Sequence, residues 1–222
     1  FYPAVSGQEE KQQVEEINFG ILAGVNLQNF RGDDFWGERL DNKVILGYQA
    51  GLMFDIRINS NFYLRPGFLY SVKGSKKEIT EIIAESGEVR VITSIRLSYL
   101  EVPVNLLYRP QIDEGHILIG LGPYAAFGTT GKVKTKGGDY SNVLSVTFKK
   151  TVTVDDPSDY AYYRGMDAGA NFLIGYELSN GILCQINMQL GFLKLNPRYD
   201  LLSNDKTSYK NIGFGLALGY SF

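Results

Sequence analysis

Asp55, Arg57, Arg65 and Glu101 carry the charges in this chain that most need explaining, because they sit in segments otherwise made of glycine and large apolar side chains. Carboxylates and guanidinium groups withdrawn from water are tolerable only in pairs. Asp55 and Arg65 flank the turn INSN, so a hairpin centred near residue 60 would set them face to face. A charged cluster of this kind can serve as a polar path, as a proton- or ion-responsive plug, or as a structural network that fills an interior. The structural network is the reading adopted, with Asn105, Asp167, Asn171, Glu177, Gln185, Asn187 and Gln189 extending it.

Other reactive residue types are sparse. His116 is the single histidine, and a catalytic base needs a positioned nucleophile or acid. Its near neighbour Glu114 shares its loop, no G-x-S-x-G motif occurs, and Ser98 and Ser145 show no arrangement toward it. His116 is therefore expected to be a solvated turn residue and the protein to lack catalytic activity. Asp155, Asp156 and Asp159 cluster without the spacing of a calcium loop, and Cys184 is the only cysteine, which excludes an intrachain disulfide and a cysteine-based zinc site. No metal and no cofactor are expected. Tyr160, Tyr162 and Tyr163 are candidates for contact with a partner protein or glycan, the competing expectation being an aromatic girdle at a membrane boundary.

The elements that must position these residues follow from a two-residue period. The closing segment IGFGLALGYSF sets Ile212, Phe214, Leu216, Leu218, Tyr220 and Phe222 against Gly213, Gly215, Ala217, Gly219 and Ser221. Seven earlier segments repeat the pattern, near residues 17–27, 44–57, 62–73, 95–108, 117–127, 165–177 and 182–192. In each, one face is large and apolar. The strand glycines, among them Gly20, Gly24, Gly47, Gly51, Gly120, Gly122, Gly213, Gly215 and Gly219, fall on the other face together with the long polar residues Arg57, Arg65, Lys73, Glu101, Asp167 and Glu177. An eight-stranded barrel is only just wide enough for side chains inside, so long polar residues on some strands require bare backbone on others. The large apolar face must then look outward, into lipid.

The connections alternate as regularly: short at 58–61, 109–115 and 178–181, long at 28–43, 74–94, 128–164 and 194–209. Short and long ends lie on opposite rims. The pattern predicts an all-β fold, an eight-stranded antiparallel up-and-down transmembrane β-barrel over residues 17–222, with short periplasmic turns, long extracellular loops and both termini periplasmic. Tyr108, Tyr176, Tyr220, Phe54 and Phe62 fall near the short-turn rim on the outward face, as an interfacial girdle would. Within the long connections, KVKTKGG and VLSVTFKKTVTV alternate and predict a hairpin raised above the membrane, whereas KKEITEIIAESGEVRV is compatible with a short helix or a strand extension.

Composition agrees with this reading. Hydrophobic residues make up 44% and charged residues 21%, with a net charge of −2, which argues against disorder and against nucleic acid as a partner. No apolar run approaches the roughly 18–20 residues of a membrane-spanning helix, a test that β-barrels escape because their strands alternate. Residues 1–16 are expected to form a flexible periplasmic lead, with AVSG before Gln8 as the remnant of a signal-peptide cleavage region.

The chain resembles the PorT-like outer-membrane β-barrel family of Bacteroidetes over residues 17–222. The resemblance rests on FGILAGVN, on GYQAGLMFDI followed by FYLRPGFLYS, on SYLEVPVNLLYRP, on IGLGPYAAFG and on the terminal GLALGYSF, with LEVPVNLLY the most specific. It implies an outer-membrane location and an eight-stranded barrel. It implies function poorly, since the namesake takes part in protein secretion by the type IX system while many relatives have no assigned task. The expected role is a noncatalytic structural or accessory subunit of a larger envelope complex, with outer-membrane lipid and other outer-membrane or periplasmic proteins as partners; a small solute channel is the alternative.

Overall fold

A computed structural model of the protein describes residues 17–83, 87–202 and 204–222. The expected N-terminal lead lies outside them. The strands in chain order are β1 (Ile17–Asp33), β2 (Ile45–Arg57), β3 (Phe62–Ile83), β4 (Gly87–Tyr108), β5 (Gln111–Ile112), β6 (Gly115–Gly137), β7 (Tyr140–Phe148), β8 (Thr151–Val152), β9 (Tyr160–Tyr163), β10 (Met166–Glu177), β11 (Ile182–Gly191), β12 (Arg198–Tyr199) and β13 (Ser208–Ser221). Eight of them close a ring: β1, β2, β3, β4, β6, β10, β11 and β13 pair in that order, and β13 returns to β1 through fourteen antiparallel partners from Gly20↔Ser221 to Asp33↔Ser208. Closure removes every edge that would leave backbone N–H and C=O groups unpaired in hydrocarbon.

The alternation of the sequence becomes an alternation of exposure. Along β1, Ile21, Val25 and Leu27 are exposed while Leu22, Asn26 and Gln28 are buried, and along β13 Phe214, Leu216 and Leu218 are exposed while Ala217 is buried. Large apolar side chains therefore cover the outside of the barrel, while glycine, polar side chains and a set of leucines turn to its axis. At the short-turn rim the outward aromatics meet: Phe62 packs on Tyr108 at 5.0 Å between ring centres, Tyr220 on Phe222 at 4.9 Å, and Phe222 stacks on Phe19 at 4.5 Å.

Glycine provides room rather than flexibility on the inward face. A Cβ on Gly47 would occupy the place of Asn26 Oδ1 on the neighbouring strand, and a Cβ on Gly213 the place of the Gln28 carboxamide. Asn26↔Gly47 and Gln28↔Gly213 are cross-strand partners, so each long polar side chain lies over a bare neighbour.

The long-loop rim departs from the expected lengths. β3 and β4 run on as a paired hairpin from Gly74↔Arg96 to Ile83↔Gly87, which makes most of 74–94 strand and decides the undecided segment in favour of extension. The raised hairpin expected in 128–164 is present as β6 and β7, paired from Lys132↔Ser145 to Gly137↔Tyr140, with β9 added in parallel. β1 also extends past its expected end, to Asp33. The result is a wall of β3, β4, β6, β7 and β9 on one side of the mouth. Ten residues of β3 beyond Lys73, at about 3.4 Å each, give it roughly 34 Å of strand.

A charge cluster braces this wall. Glu78 accepts from Lys43 and Arg90 and pairs with Lys76 at 2.8 Å, while Lys43 and Lys76 also exchange backbone hydrogen bonds that tie the β1–β2 loop to the hairpin. The hydrogen bond from Lys43, then those from Lys76 and Arg90, hold the Glu78 carboxyl below the usual carboxylate range. A carboxyl whose value is lowered by folding contributes above its ordinary value of 4.5 and loses that contribution as pH falls below it. Glu78→Gln is expected to speed proteolytic cutting of the 74–94 hairpin at neutral pH while leaving the heat-modifiable gel shift of the barrel unchanged; equal cutting of variant and wild type would remove Glu78 from this role.

Candidate functional site

The inward faces form three layers along the axis. Toward the short turns, Leu22, Met53, Leu69, Leu107, Leu118, Leu173, Leu183 and Ala217 make a buried apolar cluster, with Leu107, Leu118 and Leu183 wholly out of solvent. A polar layer lies above it except on the β2–β3 hairpin, where Asp55 and Arg65 lie nearer the short turns than Met53 and Leu69. At the long-loop mouth Phe30, Leu97, Tyr99, Tyr124, Ala126, Tyr163 and Leu195 form a second buried cluster.

The polar layer holds two ionic groups. Asp55 and Arg65 meet across the β2–β3 hairpin in a two-pronged pair, Nε to Oδ1 at 2.5 Å and a terminal guanidinium nitrogen to Oδ2 at 2.6 Å, with both side chains 3% exposed. This fork geometry is the strong form of a carboxylate–guanidinium contact. The second group is centred on Lys73, whose Nζ lies 2.8 Å from Glu101 Oε2 and 3.4 Å from Asp167 Oδ2 and stands 4.3 Å over the Tyr124 ring. Asp167 Oδ2 also accepts from Tyr124 Oη at 3.0 Å and from Asn211 Nδ2 at 2.8 Å. Glu101 accepts from Gln189 Nε2 and from Ser71 Oγ at 3.3 Å. Six strands thus converge on one ammonium and two carboxylates.

Neutral groups complete the layer, Asn171 donating to Asn105 at 2.9 Å and Gln185 to Asn187 at 2.8 Å. A cavity of about 30 Å³ remains between Gln49, Arg65, Glu101 and Gln189, on the scale of a single water. The lumen at this level is filled by side chains.

Of the residues expected inside, Asp55, Arg65, Glu101, Asn105, Asp167, Asn171, Gln185, Asn187 and Gln189 lie in the buried layer. Arg57 does not join them. It keeps the inward register but stands exposed at the short-turn rim, where its Nε donates to Asn59 O at 3.3 Å. Glu177 is buried near the same rim and accepts from Arg109, whose guanidinium lies 5.3 Å from the Tyr63 ring centre. Lys73 is the residue whose importance sequence reasoning missed: its inward register was legible, but its partners come from β4 and β10.

His116 is not the expected solvated turn residue: it stands half-buried on the inward register at the start of β6, with Glu177 as its cross-strand partner and Arg109 nearby. Ser98 and Ser145 pair with Thr130 and Lys132 at the opposite rim, so the structure separates the histidine from both serines. Among the described residues no group of three His, Cys, Asp or Glu side chains is placed to hold a metal ion.

The tyrosine expectation is corrected in part. Only Tyr160 is exposed. Tyr162 is buried and donates from its hydroxyl to Pro157 O at 2.7 Å, and Tyr163 is buried in the mouth cluster with its ring 6.4 Å from that of Phe30. Parallel pairing of β9 with β7 brings the strand over the mouth and spends these two rings on packing.

Comparison with solved structures finds similar folds at low identity. The attachment invasion locus protein Ail of Yersinia pestis, in complex with the heparin analogue sucrose octasulfate, is 14% identical over 93% of this chain and 99% of its own, with a TM-score of 0.39. Neisserial surface protein A is 12% identical over 94% and 100%, with a TM-score of 0.47. OprG from Pseudomonas aeruginosa is 13% identical over 94% and 97%, with a TM-score of 0.46. No curated protein sequence matches the chain. The family described as outer membrane protein beta-barrel domain matches residues 7–196. With that match over most of its length and a closed ring of eight strands greased on the outside, the chain belongs to the outer membrane protein beta-barrel domain family.

Proposed function

We propose that the protein is a noncatalytic structural or accessory subunit of a larger envelope complex, of the PorT-like kind that its sequence resembles, with the short turns and termini in the periplasm and the long loops outside. The observation that carries this reading is the contrast between the two ends of the molecule. The lumen is packed with leucine and a layer of paired ionic groups, whereas the wall beyond the barrel spends more than a third of β3, β4 and β6 on surface that encloses nothing. Tyr140, Val143 and Tyr160 on this wall, with Trp36, Leu201 and Leu202 on neighbouring loops, are exposed apolar side chains above the lipid-facing band. Apolar groups placed there suit contact with another protein.

The solute-channel alternative requires a path past Lys73, Glu101 and the leucine layer. Planar-bilayer recording of the purified barrel is expected to show no stable unitary current, and crosslinking in native membranes through a photoreactive residue at Val143 is expected to capture a discrete protein partner. Stable unitary conductance, or a Val143 crosslink only to lipid, would overturn the accessory-subunit reading.

A further inference from the structure

Just beyond the lipid-facing band at the long-loop rim lies an open pocket of about 360 Å³, bounded by the end of β7, the start of β10 and the connection after β11. Its floor is apolar. Phe148, Met166 and Leu193 line it, and Met166 and Leu193 are themselves exposed side chains continuous with Phe127 and Phe192 on the outside of the barrel. Its border is cationic, from Lys150, Arg164 and Lys194.

Three facts separate this border from a solvated charge run. Lys149, beside Lys150, is matched by Asp156 at 2.6 Å, but Lys150, Arg164 and Lys194 have no carboxylate within ion-pair distance among the described residues. Arg164 is half-buried, and its Nε is withdrawn from solvent with no acceptor among the described residues. An adjoining depression of about 400 Å³ shares Arg164 and Lys194 and adds Arg198 and Asp205, and the Asp205 carboxylate accepts the Thr207 N–H at 2.9 Å. Unmatched cations thus outnumber carboxylates where the hydrocarbon-facing surface ends.

The cation distribution on the outward face gives this place a wider setting. Arg31 and its partner Lys210, Arg96 and its partner Lys132, and then Lys134 and Lys136 stand on the same side of the sheet, above Val25, Val102 and Phe127. The register shift between Ser98 and Tyr99 changes which residues face outward and so turns the lysines of β6 out rather than in. A lipid whose chains run along Phe127, Met166 and Phe192 would present its headgroup at the height of these cations.

We infer that the pocket between β7, β10 and the β11–β12 connection binds one phosphate-bearing lipid of the surrounding bilayer, with an acyl chain against Phe148, Met166 and Leu193 and phosphate on Lys150, Arg164 and Lys194. Guanidinium and ammonium groups are the usual partners of phosphate oxygens, and each basic residue near an anionic membrane surface adds attraction that salt screens. The apolar floor commits the occupant to an amphiphile, since a free anion would leave it unused. The inference rests on the long loops lying at the headgroup level and is independent of any protein partner.

Native mass spectrometry of the detergent-purified barrel tests it with lipid A, with the same lipid stripped of its phosphates, and with inorganic phosphate. Wild type should retain one lipid A at concentrations at least tenfold below those needed for the dephosphorylated lipid, and added salt should erase the difference. Lys150→Gln, Arg164→Gln and Lys194→Gln combined should bind the two lipids alike while keeping the heat-modifiable gel shift that marks a closed barrel. Should the triple variant fail to fold, Leu193→Asp in otherwise wild-type protein should lose retention of lipid A while leaving the cations in place. Equal retention of both lipids by wild type, undiminished lipid A binding by the triple or Leu193→Asp variants, or displacement of lipid A by inorganic phosphate would each overturn the lipid site. A closed barrel with no lipid preference would defeat this site and leave the accessory-subunit reading standing.

Discussion

Replacing Lys73 with methionine should lower the unfolding free energy of the barrel by about 3–5 kcal/mol, the cost of leaving buried carboxylates without their cation. Lys73 is wholly enclosed, and among the described residues its ammonium is the only cation paired with Glu101 and with Asp167. Methionine fills nearly the same volume, so the change removes charge with little change in packing, and the loss reads as electrostatics. The check is equilibrium denaturation in detergent micelles, followed by the gel shift between folded and unfolded forms. Combining Lys73→Met with Glu101→Gln and Asp167→Asn should recover most of the loss, because a neutral layer has no ion to strand and both amides can still donate or accept. An unchanged midpoint for Lys73→Met, or a triple variant no better than the single, would show that the charges are screened by water and that the layer does not close the lumen.

The Asp55–Arg65 pair was legible because hairpins are local: with the turn at 58–61, residue 55 must face residue 65. The Lys73 group was not, because Lys73 and Asp167 lie 94 positions apart and meet only once the ring has closed. Strand periodicity assigns a residue to a face but says nothing of its height, which is why Arg57 reads as interior and yet stands at the rim. Height was also the difficulty at the other end. Above the bilayer the outward face of β3, β4 and β6 turns from hydrocarbon to Arg90, Arg96, Lys132 and Lys134, so the contrast between greasy and bare faces that marks the spanning strands disappears while the strands continue. The register shift opposite Ser98 and Tyr99, with Thr129 as the extra residue, adds to this by exchanging the two faces partway along β6. Parallel addition of β9 to β7 leaves no local signal in the sequence, which is why Tyr162 and Tyr163 read alike with Tyr160.

Leu216→Arg should destabilise the barrel by about 2–4 kcal/mol, the cost of an arginine on the lipid face near the bilayer midplane. Leu216 lies near the middle of β13, between Val25 on one side and Ile186 on the other, and all three are about half exposed in the absence of lipid. The same substitution at Tyr220, four residues nearer the short-turn rim and within the aromatic girdle, should cost only about 0–1 kcal/mol, because a long cationic side chain there reaches the interface. The gradient is the informative quantity. A globular protein with a wet exterior would tolerate arginine at both positions, since each is already exposed, whereas a bilayer taxes charge by depth. Refolding into lipid vesicles and titrating with denaturant measures both variants against wild type, and equal losses at Leu216 and Tyr220 would contradict the outward orientation of the large apolar face on which the lipid contacts, the glycine-lined interior and the closed lumen all depend.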